Sequence, residues 1–236
     1  MNSEALFRAG RLNEAVQAVS AELREAPTDV KRRTFLFELL CFAGEYDRAQ
    51  KHLDVLASGG KEAAMGALVY HAALHAERTR QEMFLGTSYP PAEAAEADVG
   101  GTLNGVPFKS LSDADPRIGA RLEVFAAGSY LWIPWAQVAC LEIPAPRRLR
   151  DLLWSPALIR TGPAFRGVEL GEILTPVLNP LTWRHPDDAV RLGRVTVWDQ
   201  DEEGREIPFG QKMLLVDGEE IPLLEVRKLE ISPPVS

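Results

Sequence analysis

The sequence predicts an α+β multidomain protein: an N-terminal TPR-like (tetratricopeptide-like) helical layer, then a β-rich domain of mixed or antiparallel, barrel-like architecture. Two observations predict this division. A helical motif repeats after 34 residues near the N-terminus, and short alternating segments separated by turn residues fill the second half. We therefore expect a TPR-like helical domain at 1–86, a connecting segment at 87–119 and a β-rich α+β domain at 120–236.

The first part of the chain contains an internal repeat. The segment FRAGRLNEAVQAV aligns with CFAGEYDRAQKHL, so that Gly10 matches Gly44 and Ala15 matches Ala49. The offset of 34 residues is the period of tetratricopeptide units. Glycine permits the tight turn between two helices, and the small alanine lets their backbones approach closely. We expect two such units followed by a capping helix.

Five helices are expected in this part, with Thr28 or Asp29 as the N-cap of the third. Apolar periodicity and the breaks at Pro27 and Gly59 place the helices at about 3–9, 12–25, 29–42, 46–57 and 61–84. On the fifth and longest helix, helical spacing predicts one apolar stripe made of Ala64, Leu68, Ala72 and His75.

Composition limits the function classes. No apolar run reaches the roughly 20 residues of a membrane helix, and the charged N-terminus does not resemble a signal peptide. Cys41 and Cys140 each lie in an apolar segment, which predicts two buried thiols and a cytoplasmic protein. The net charge of −8 comes mostly from the part after residue 85, so we expect no nucleic-acid partner and no membrane partner.

The connecting segment ends in a turn that carries a pair of carboxylates. Asp113 and Asp115 form a D-x-D pair, a spacing that can hold a divalent ion beside a sugar nucleotide. Aspartates in such turns more often accept backbone N–H groups or pair with a nearby arginine, here Arg117. We favour the structural interpretation.

The C-terminal part is predicted to be a sheet of short strands. Gly128-Ser129 is the predicted two-residue loop of a hairpin with a II′ turn, and Asp217-Gly218 that of a second hairpin. Strands are expected at about 121–127, 130–133, 137–143, 157–160, 172–176, 194–198, 211–216 and 220–228, with a helical turn at 147–153.

The motifs of common enzyme classes do not occur in the sequence. There is no glycine-rich phosphate loop, no C-x-x-C, no zincin motif and no nucleophile elbow. His71 and His75 have the i, i+4 spacing of a two-histidine metal site, but the sequence offers no third ligand nearby. His185 lies in a polar loop. We expect no enzyme, no cofactor and no metal, with an enzyme built around the D-x-D pair or His185 as the remaining alternative.

An aromatic-rich stretch, YLWIPWAQVACLEIPAPRRLRDLLW, runs from Tyr130 to Trp154 and holds three of the five tryptophans. Tryptophan is common both in cores and at interaction hot spots. Trp135, directly after a proline, is expected to be partly exposed. Arg150 and Asp151 are expected to pair with each other or with Arg117 and Asp115.

Six segments in this order resemble the ImpE family, also called TagJ, which are accessory proteins of bacterial type VI secretion systems. The segments are GRLNEA, LFELLCFAGEYDRA, DADPRIG, LEVFAAGSYLWIPW, LRDLLW and GQKMLLVDGEEIPLLEVR. The resemblance covers nearly the whole chain. It implies a cytoplasmic, non-catalytic protein that binds the N-terminal helix of the small contractile-sheath subunit, with the ClpV disassembly ATPase as a further partner. The segment LTPVLNPLTWRHP lacks the family's usual tyrosine.

We expect partner binding in a groove between the helical layer and the β domain, where a helix would insert apolar anchors. The candidate partner-binding residues are Phe35, Leu39, Phe42 and Tyr46 on the helical side, and Trp135, Arg150 and Asp151 on the β side. The alternative is a general TPR-type scaffold or chaperone adaptor with another protein partner.

Overall fold

A computed structural model of the chain describes residues 1–90, 99–167, 169–201 and 204–232. Residues 91–98 of the predicted connecting segment lie outside the described residues. The chain is an α+β protein in which N-terminal helices are followed by antiparallel β-sheets. No helix in the described ranges combines the length and the apolar character needed to cross a membrane.

Five helices form the N-terminal part, each packed against the next in chain order. Their bounds, α1 Ser3–Arg8, α2 Leu12–Glu25, α3 Val30–Phe42, α4 Tyr46–Ala57 and α5 Lys61–Leu85, agree with the predictions within two residues. The Asp29 side chain caps α3 by accepting the backbone N–H of Arg32 at 3.0 Å. Whether these helices form TPR-like units stays a prediction.

The repeated glycines perform the same task at two turns. Gly10, between α1 and α2, has φ +78°, and Gly44, between α3 and α4, has φ +72°. Side chains other than glycine rarely adopt such angles. The repeated alanines, Ala15 and Ala49, are fully buried on α2 and α4. The repeat therefore encodes both the turn and the close approach of neighbouring helices.

The main sheet has eight antiparallel strands in the order β2-β1-β13-β6-β7-β8-β4-β5. These strands are β1 Gly101–Leu103, β2 Val106–Phe108, β4 Arg121–Ala126, β5 Ser129–Pro134, β6 Val138–Glu142, β7 Trp154–Thr161, β8 Gly171–Pro176 and β13 Lys228–Ile231.

The remaining strands form two small sheets. In one, β3 (Leu111–Asp113) pairs with β11 (Met213–Val216), which also pairs with β12 (Glu219–Pro222). In the other, β9 (Val197–Gln200) pairs with β10 (Glu206–Phe209). A short helix, α6 (Asp188–Arg191), precedes them.

The prediction of a closed barrel is wrong. The eight-stranded sheet ends in two edges, β2 and β5, which do not pair with each other. Prolines at both edges, Pro107 in β2 and Pro134 at the end of β5, remove backbone donors that a further strand would need.

Two hydrophobic cores lie on the two faces of the large sheet. One face carries Phe125 and Trp154, which join the core of the helical layer. The other face carries residues such as Val124 and Ile159 and packs against the sheet formed by β3, β11 and β12. Strands β1 to β3 contribute to this second core, although they lie in the segment predicted as connecting.

The hairpin between β4 and β5 has its loop one residue earlier than predicted. Ala126 pairs with Ser129, so the loop is Ala127-Gly128, and both residues have positive φ, +49° and +84°. Two positive φ angles fit a type I′ turn, not the II′ turn expected. The predicted Asp217-Gly218 loop is confirmed, with φ +52° and +85°.

Candidate functional site

The C-terminal half of α5 lies on the large sheet and is held there by buried charges. The Arg80 guanidinium donates to both oxygens of Glu123 on β4, at 2.7 and 3.0 Å, and lies 3.2 Å from Oε1 of Glu77. Both Arg80 and Glu123 are 1% exposed. A buried charge is tolerated only when it is paired, so these contacts fix α5 against the sheet.

A lysine extends this cluster to the small sheet. The Nζ atom of Lys212, directly before β11, lies 2.6 Å from Oδ2 of Asp113 and 2.7 Å from Oε2 of Glu123. Lys212 is 2% exposed. One ion network, which we call the junction cluster (Glu77, Arg80, Asp113, Glu123 and Lys212), thus joins the helical layer, the large sheet and the small sheet.

Burial and pairing shift the pKa values of Asp113 and Glu123, two of the three carboxylates of the junction cluster, in opposite directions. Burial raises the pKa of Asp113 to about 6, and Lys212 offsets only part of that rise. For Glu123, burial also raises the pKa, but Arg80 and Lys212 together outweigh it and hold the pKa well below its ordinary value. Glu123 is therefore the permanent anion of the cluster.

Aromatic side chains supply further hydrogen bonds at this junction. The indole N–H of Trp154 donates to Glu77 at 2.9 Å, and the indole N–H of Trp183 donates to Gln81 of α5 at 3.1 Å. The Tyr130 hydroxyl donates to Glu123. Trp154 is a buried donor and Tyr130 and Trp183 are partly buried donors to charged or amide groups of α5 and β4.

The D-x-D pair has a structural role, as the sequence predicted. Asp113 accepts the backbone N–H of Asp115 at 2.9 Å, and Asp115 accepts the backbone N–H of Arg117 at 3.0 Å and its Nε at 2.8 Å. Both aspartates are at most 3% exposed. Their oxygens are engaged inside the protein.

The histidines considered as catalytic or metal-binding residues also make internal contacts. Nδ1 of His185 accepts the backbone N–H of Asp187 at 3.1 Å, and its ring lies 6.0 Å from that of Phe209. Nδ1 of His71 lies 2.8 Å from Nε2 of Gln50. Over the described ranges, no group of three or more His, Cys, Asp or Glu side chains is placed to hold a metal ion.

A groove of about 820 Å³ opens beside α5 on the same face of the large sheet. One wall is α5 from Val69 to Ala73, together with the hairpin loop at Ala127-Gly128. The opposite wall contains Pro144, Arg150 and Arg227. The floor is the sheet. The helical layer covers only part of this sheet face, and the groove lies where that cover stops.

The strand register defines two rows on the groove floor. Phe125, Leu174 and Pro156 are cross-strand partners and form one row; Glu172, Leu158 and Glu142 form the next. Leu158 is 45% exposed and Val69, on the α5 wall, is 55% exposed. The groove therefore offers exposed apolar side chains flanked by charges.

The groove has two different ends. At the inner end, the helical layer closes it: Tyr70 packs against Phe37 of α3, and the Arg150 guanidinium stacks 4.6 Å from the Tyr70 ring centre. Trp154 lies at this end. At the outer end lies the row of Glu142, Leu158 and Glu172, four residues along β7 from Trp154.

A buried carboxyl lies behind the inner end. Glu38 of α3 is 9% exposed. Burial raises its pKa to about 7, and the positive charge of Arg150 offsets part of that rise. The predicted pairing of Arg150 with Asp151 is confirmed at 3.7 Å.

The residues predicted to bind a partner are spread over several places. Arg150 and Asp151 line the groove. Leu39 is fully buried in the helical core, and Phe35 packs edge-on against Phe7 of α1. Trp135 was expected to be partly exposed, which is wrong: it is fully buried in the β core.

The other two predicted residues, Phe42 and Tyr46, line a cavity of only about 20 Å³ at the junction of α3, α4 and α5. Such a volume holds no more than a water molecule. The predicted partner-binding residues include neither the α5 wall nor Leu158. For α5 the sequence did hold a signal, the apolar run of Met65, Leu68 and Val69, which stays exposed in the structure.

Comparisons with known proteins cover almost the whole chain. A family model described as "ImpE protein" matches residues 105–230. The type VI secretion system accessory component TagJ of Pseudomonas aeruginosa is 34% identical, over 99% of this chain and 92% of that protein. The crystal structure of a protein from Vibrio parahaemolyticus superposes with a TM-score of 0.86 at 22% identity, covering 98% of this chain and 97% of the other, and shares its fold.

Proposed function

The chain belongs to the ImpE family, and from this premise we propose that it is a non-catalytic accessory component of a bacterial type VI secretion system that binds a helix of a partner protein. The partner is the small contractile-sheath subunit, bound through its N-terminal helix, and the complex links the sheath to the ClpV disassembly ATPase. The accessory role is supported by the 34% identity to TagJ over 99% of the chain.

The groove beside α5 is the observation that carries helix binding. A helix about 10 Å wide with a pitch of 5.4 Å occupies roughly 420 Å³ per turn. The groove volume of about 820 Å³ thus matches about two helical turns. Its wall is itself a helix, so an inserted helix would pack against α5 and over the sheet as the next member of the helical layer.

The chemistry of the groove suits an amphipathic helix. Exposed Leu158 and Val69 would contact apolar anchors of the partner repeating at i, i+3, i+4 and i+7. Charged groups of the groove, such as Arg150 on the wall and Glu172 on the floor, would contact its polar flanks. Aspartates 113 and 115 and His185 make internal contacts, which favours a binding protein over an enzyme.

Binding of a synthetic peptide tests the proposal. The peptide would carry the first helix of the small sheath subunit from the same bacterium, and affinity would be measured by fluorescence anisotropy. Leu158→Arg places a charge on the apolar floor and removes a contact of about 1.5 kcal/mol or more, so we expect at least about a tenfold loss of affinity.

Val106→Arg is the matched control. Val106 is 67% exposed, but it lies on β2 at the far edge of the sheet from β5 and β4. This variant should bind like the wild type. Equal affinity of Leu158→Arg and the wild type would reject the groove. Unchanged pull-down of a sheath subunit that lacks its first helix would reject the partner segment.

A further inference from the structure

The outer end of the groove is acidic. Glu142 and Glu172 lie on either side of Leu158 in one row of the sheet, and both are exposed. Lys228, the next residue in that row, has its Nζ 2.8 Å from Glu230 and does not line the groove. Glu142 and Glu172 are therefore the carboxylates that line the groove at this end, while the exposed Arg160, two residues beyond Leu158 on β7, lies outside the lining.

The inner end of the groove carries a cation, Arg150, whose guanidinium is held over Tyr70. The exposed Arg227 lies nearer the outer row, because its carbonyl accepts the backbone N–H of Ile143, the residue after Glu142. Asp151 is also present, but its Oδ2 accepts the backbone N–H groups of Arg147 and Arg148, at 2.8 and 3.0 Å. The aspartate is thus engaged by the protein, and its Oδ1, 3.7 Å from Nε of Arg150, offsets only part of the charge of that guanidinium.

This charge gradient runs along β7, the same direction in which a bound helix would lie. From Trp154 at the inner end to Leu158 at the outer end is four residues, or about 13 Å of strand. That distance is close to two to three turns of helix. The two ends of one short helix would therefore each meet a different sign of charge.

A helix has a positive N-terminal and a negative C-terminal end, each equivalent to about half an elementary charge. We propose that the groove fixes the direction of its bound helix, with the N-terminal turn over Glu142 and Glu172 and the C-terminal turn at Arg150. Basic side chains are favoured in the first turn and acidic side chains in the last. This inference rests on the proposed helix binding and specifies the partner that the groove accepts.

The neighbouring helix does not reverse this preference. α5 runs from the outer to the inner end, so the bound helix lies parallel to it. However, the N-terminus of α5 at Lys61 lies eight residues, or about 12 Å, before Val69 and outside the groove lining. Its half charge is weaker and more distant than the two carboxylates on the floor.

Four versions of the sheath-helix peptide, each with a pair of charged residues at one end, test the direction. Each carries a Lys pair or a Glu pair, in its first or in its last turn, and its dissociation constant is measured at low salt. We expect the Lys pair to bind about threefold or more tighter than the Glu pair in the first turn, and the Glu pair to bind tighter in the last turn.

Two competing effects predict other outcomes. The protein's net charge of −8 would favour the Lys pair at both ends. Intrinsic helix stability would favour Glu in the first turn and Lys in the last, the opposite of our expectation. The expected pattern therefore arises only from the groove's own gradient, and either competing pattern overturns the inference.

Protein variants assign the preference to particular residues. The combined change Glu142→Gln and Glu172→Gln should abolish the first-turn preference and keep the last-turn preference, and Arg150→Gln should do the reverse. Glu219→Gln, on β12 of the small sheet, is the control and should change neither. If the peptide without added charges does not bind the wild type at all, the proposed function fails. If it binds but the four charged versions show no preference at either end, only the inferred direction fails.

Discussion

Replacing Lys212 with methionine should destabilise the protein strongly, because it removes one cation from the junction cluster. Methionine keeps the length of the side chain and loses the charge. Asp113 and Glu123, which lie 2.6 and 2.7 Å from the Lys212 ammonium, would stay buried with Arg80 as the remaining cation of the cluster. Arg80 pairs with Glu123 and Glu77, so Asp113 would lose its cation. Removing one partner of a buried ion pair costs about 3–5 kcal/mol.

The cost should depend on pH. The pKa of Asp113 is already raised to about 6 by burial, and without Lys212 it rises further. A protonated Asp113 carries no buried charge, so the variant loses less stability at pH 5 than at pH 8. Adding Asp113→Asn to Lys212→Met should recover part of the loss at pH 8, since it removes the unpaired negative charge of Asp113.

The assay is urea unfolding followed by tryptophan fluorescence, with the free energy of unfolding extrapolated to water. Lys228→Met is the matched control, because Lys228 also has a carboxylate 2.8 Å away but is 48% exposed. Solvent screens that pair, so its removal should leave stability near the wild type. A loss below about 1 kcal/mol for Lys212→Met, or equal losses for both variants, would refute the role of the buried cluster.

Two further predictions concern the helical layer. The pKa of Glu38 is about 7 in the folded protein, above its ordinary 4.5. Its contribution to stability is therefore present below pH 4.5 and is lost, by about 3 kcal/mol, as the pH rises through 7. Glu38→Gln should lack this loss, and parallel profiles of the urea midpoint against pH for the two proteins from pH 5 to 8 would contradict the prediction. Gly44→Ala should lower the melting temperature more than Gly10→Ala, although both positions have positive φ. A Cβ atom added at Gly44 would lie 2.5 Å from the Trp183 ring, whereas one added at Gly10 would lie 3.4 Å from the Arg194 guanidinium.

Local features of the fold could be predicted from the sequence. The glycines of the repeat, the Asp29 cap and the Asp217-Gly218 turn each depend on residues within four positions of one another. The bond between Asp115 and Arg117 spans two residues. In such cases the side chain and its partner are adjacent in the chain, so residue type and spacing determine the contact.

The junction cluster could not be predicted in this way. Arg80 and Glu123 are 43 residues apart, and Lys212 and Asp113 are 99 apart. In the sequence, the charged C-terminal half of α5 has the pattern of a solvated face. The predicted α5 stripe contains an apolar residue that the fold leaves in solvent: Leu68 is 65% exposed, whereas Glu77 and Arg80 of the same helix are buried. Tertiary pairing reversed the usual sorting of polar and apolar residues.

Trp135 shows a second limit of the sequence. Pro134 ends β5, as expected, but the chain then turns inward, and the backbone N–H of Trp135 donates to Ala120 at 2.9 Å. The indole is thereby buried in the β core. A proline signals that a strand stops, but it does not determine toward which side the following residue turns.

The junction cluster and the groove depend on the same helix. Arg80 fixes the C-terminal half of α5 to β4, while Val69 to Ala73, two to three turns earlier, form the groove wall. A wall that is already fixed costs a partner no ordering entropy on binding. Glu77 and Gln81 accept the indole N–H groups of Trp154 and Trp183, so two further hydrogen bonds hold the C-terminal half of α5 in place. The buried charges, although expensive to bury, thus hold a rigid helix beside an open sheet face, which is the arrangement that a helical partner requires.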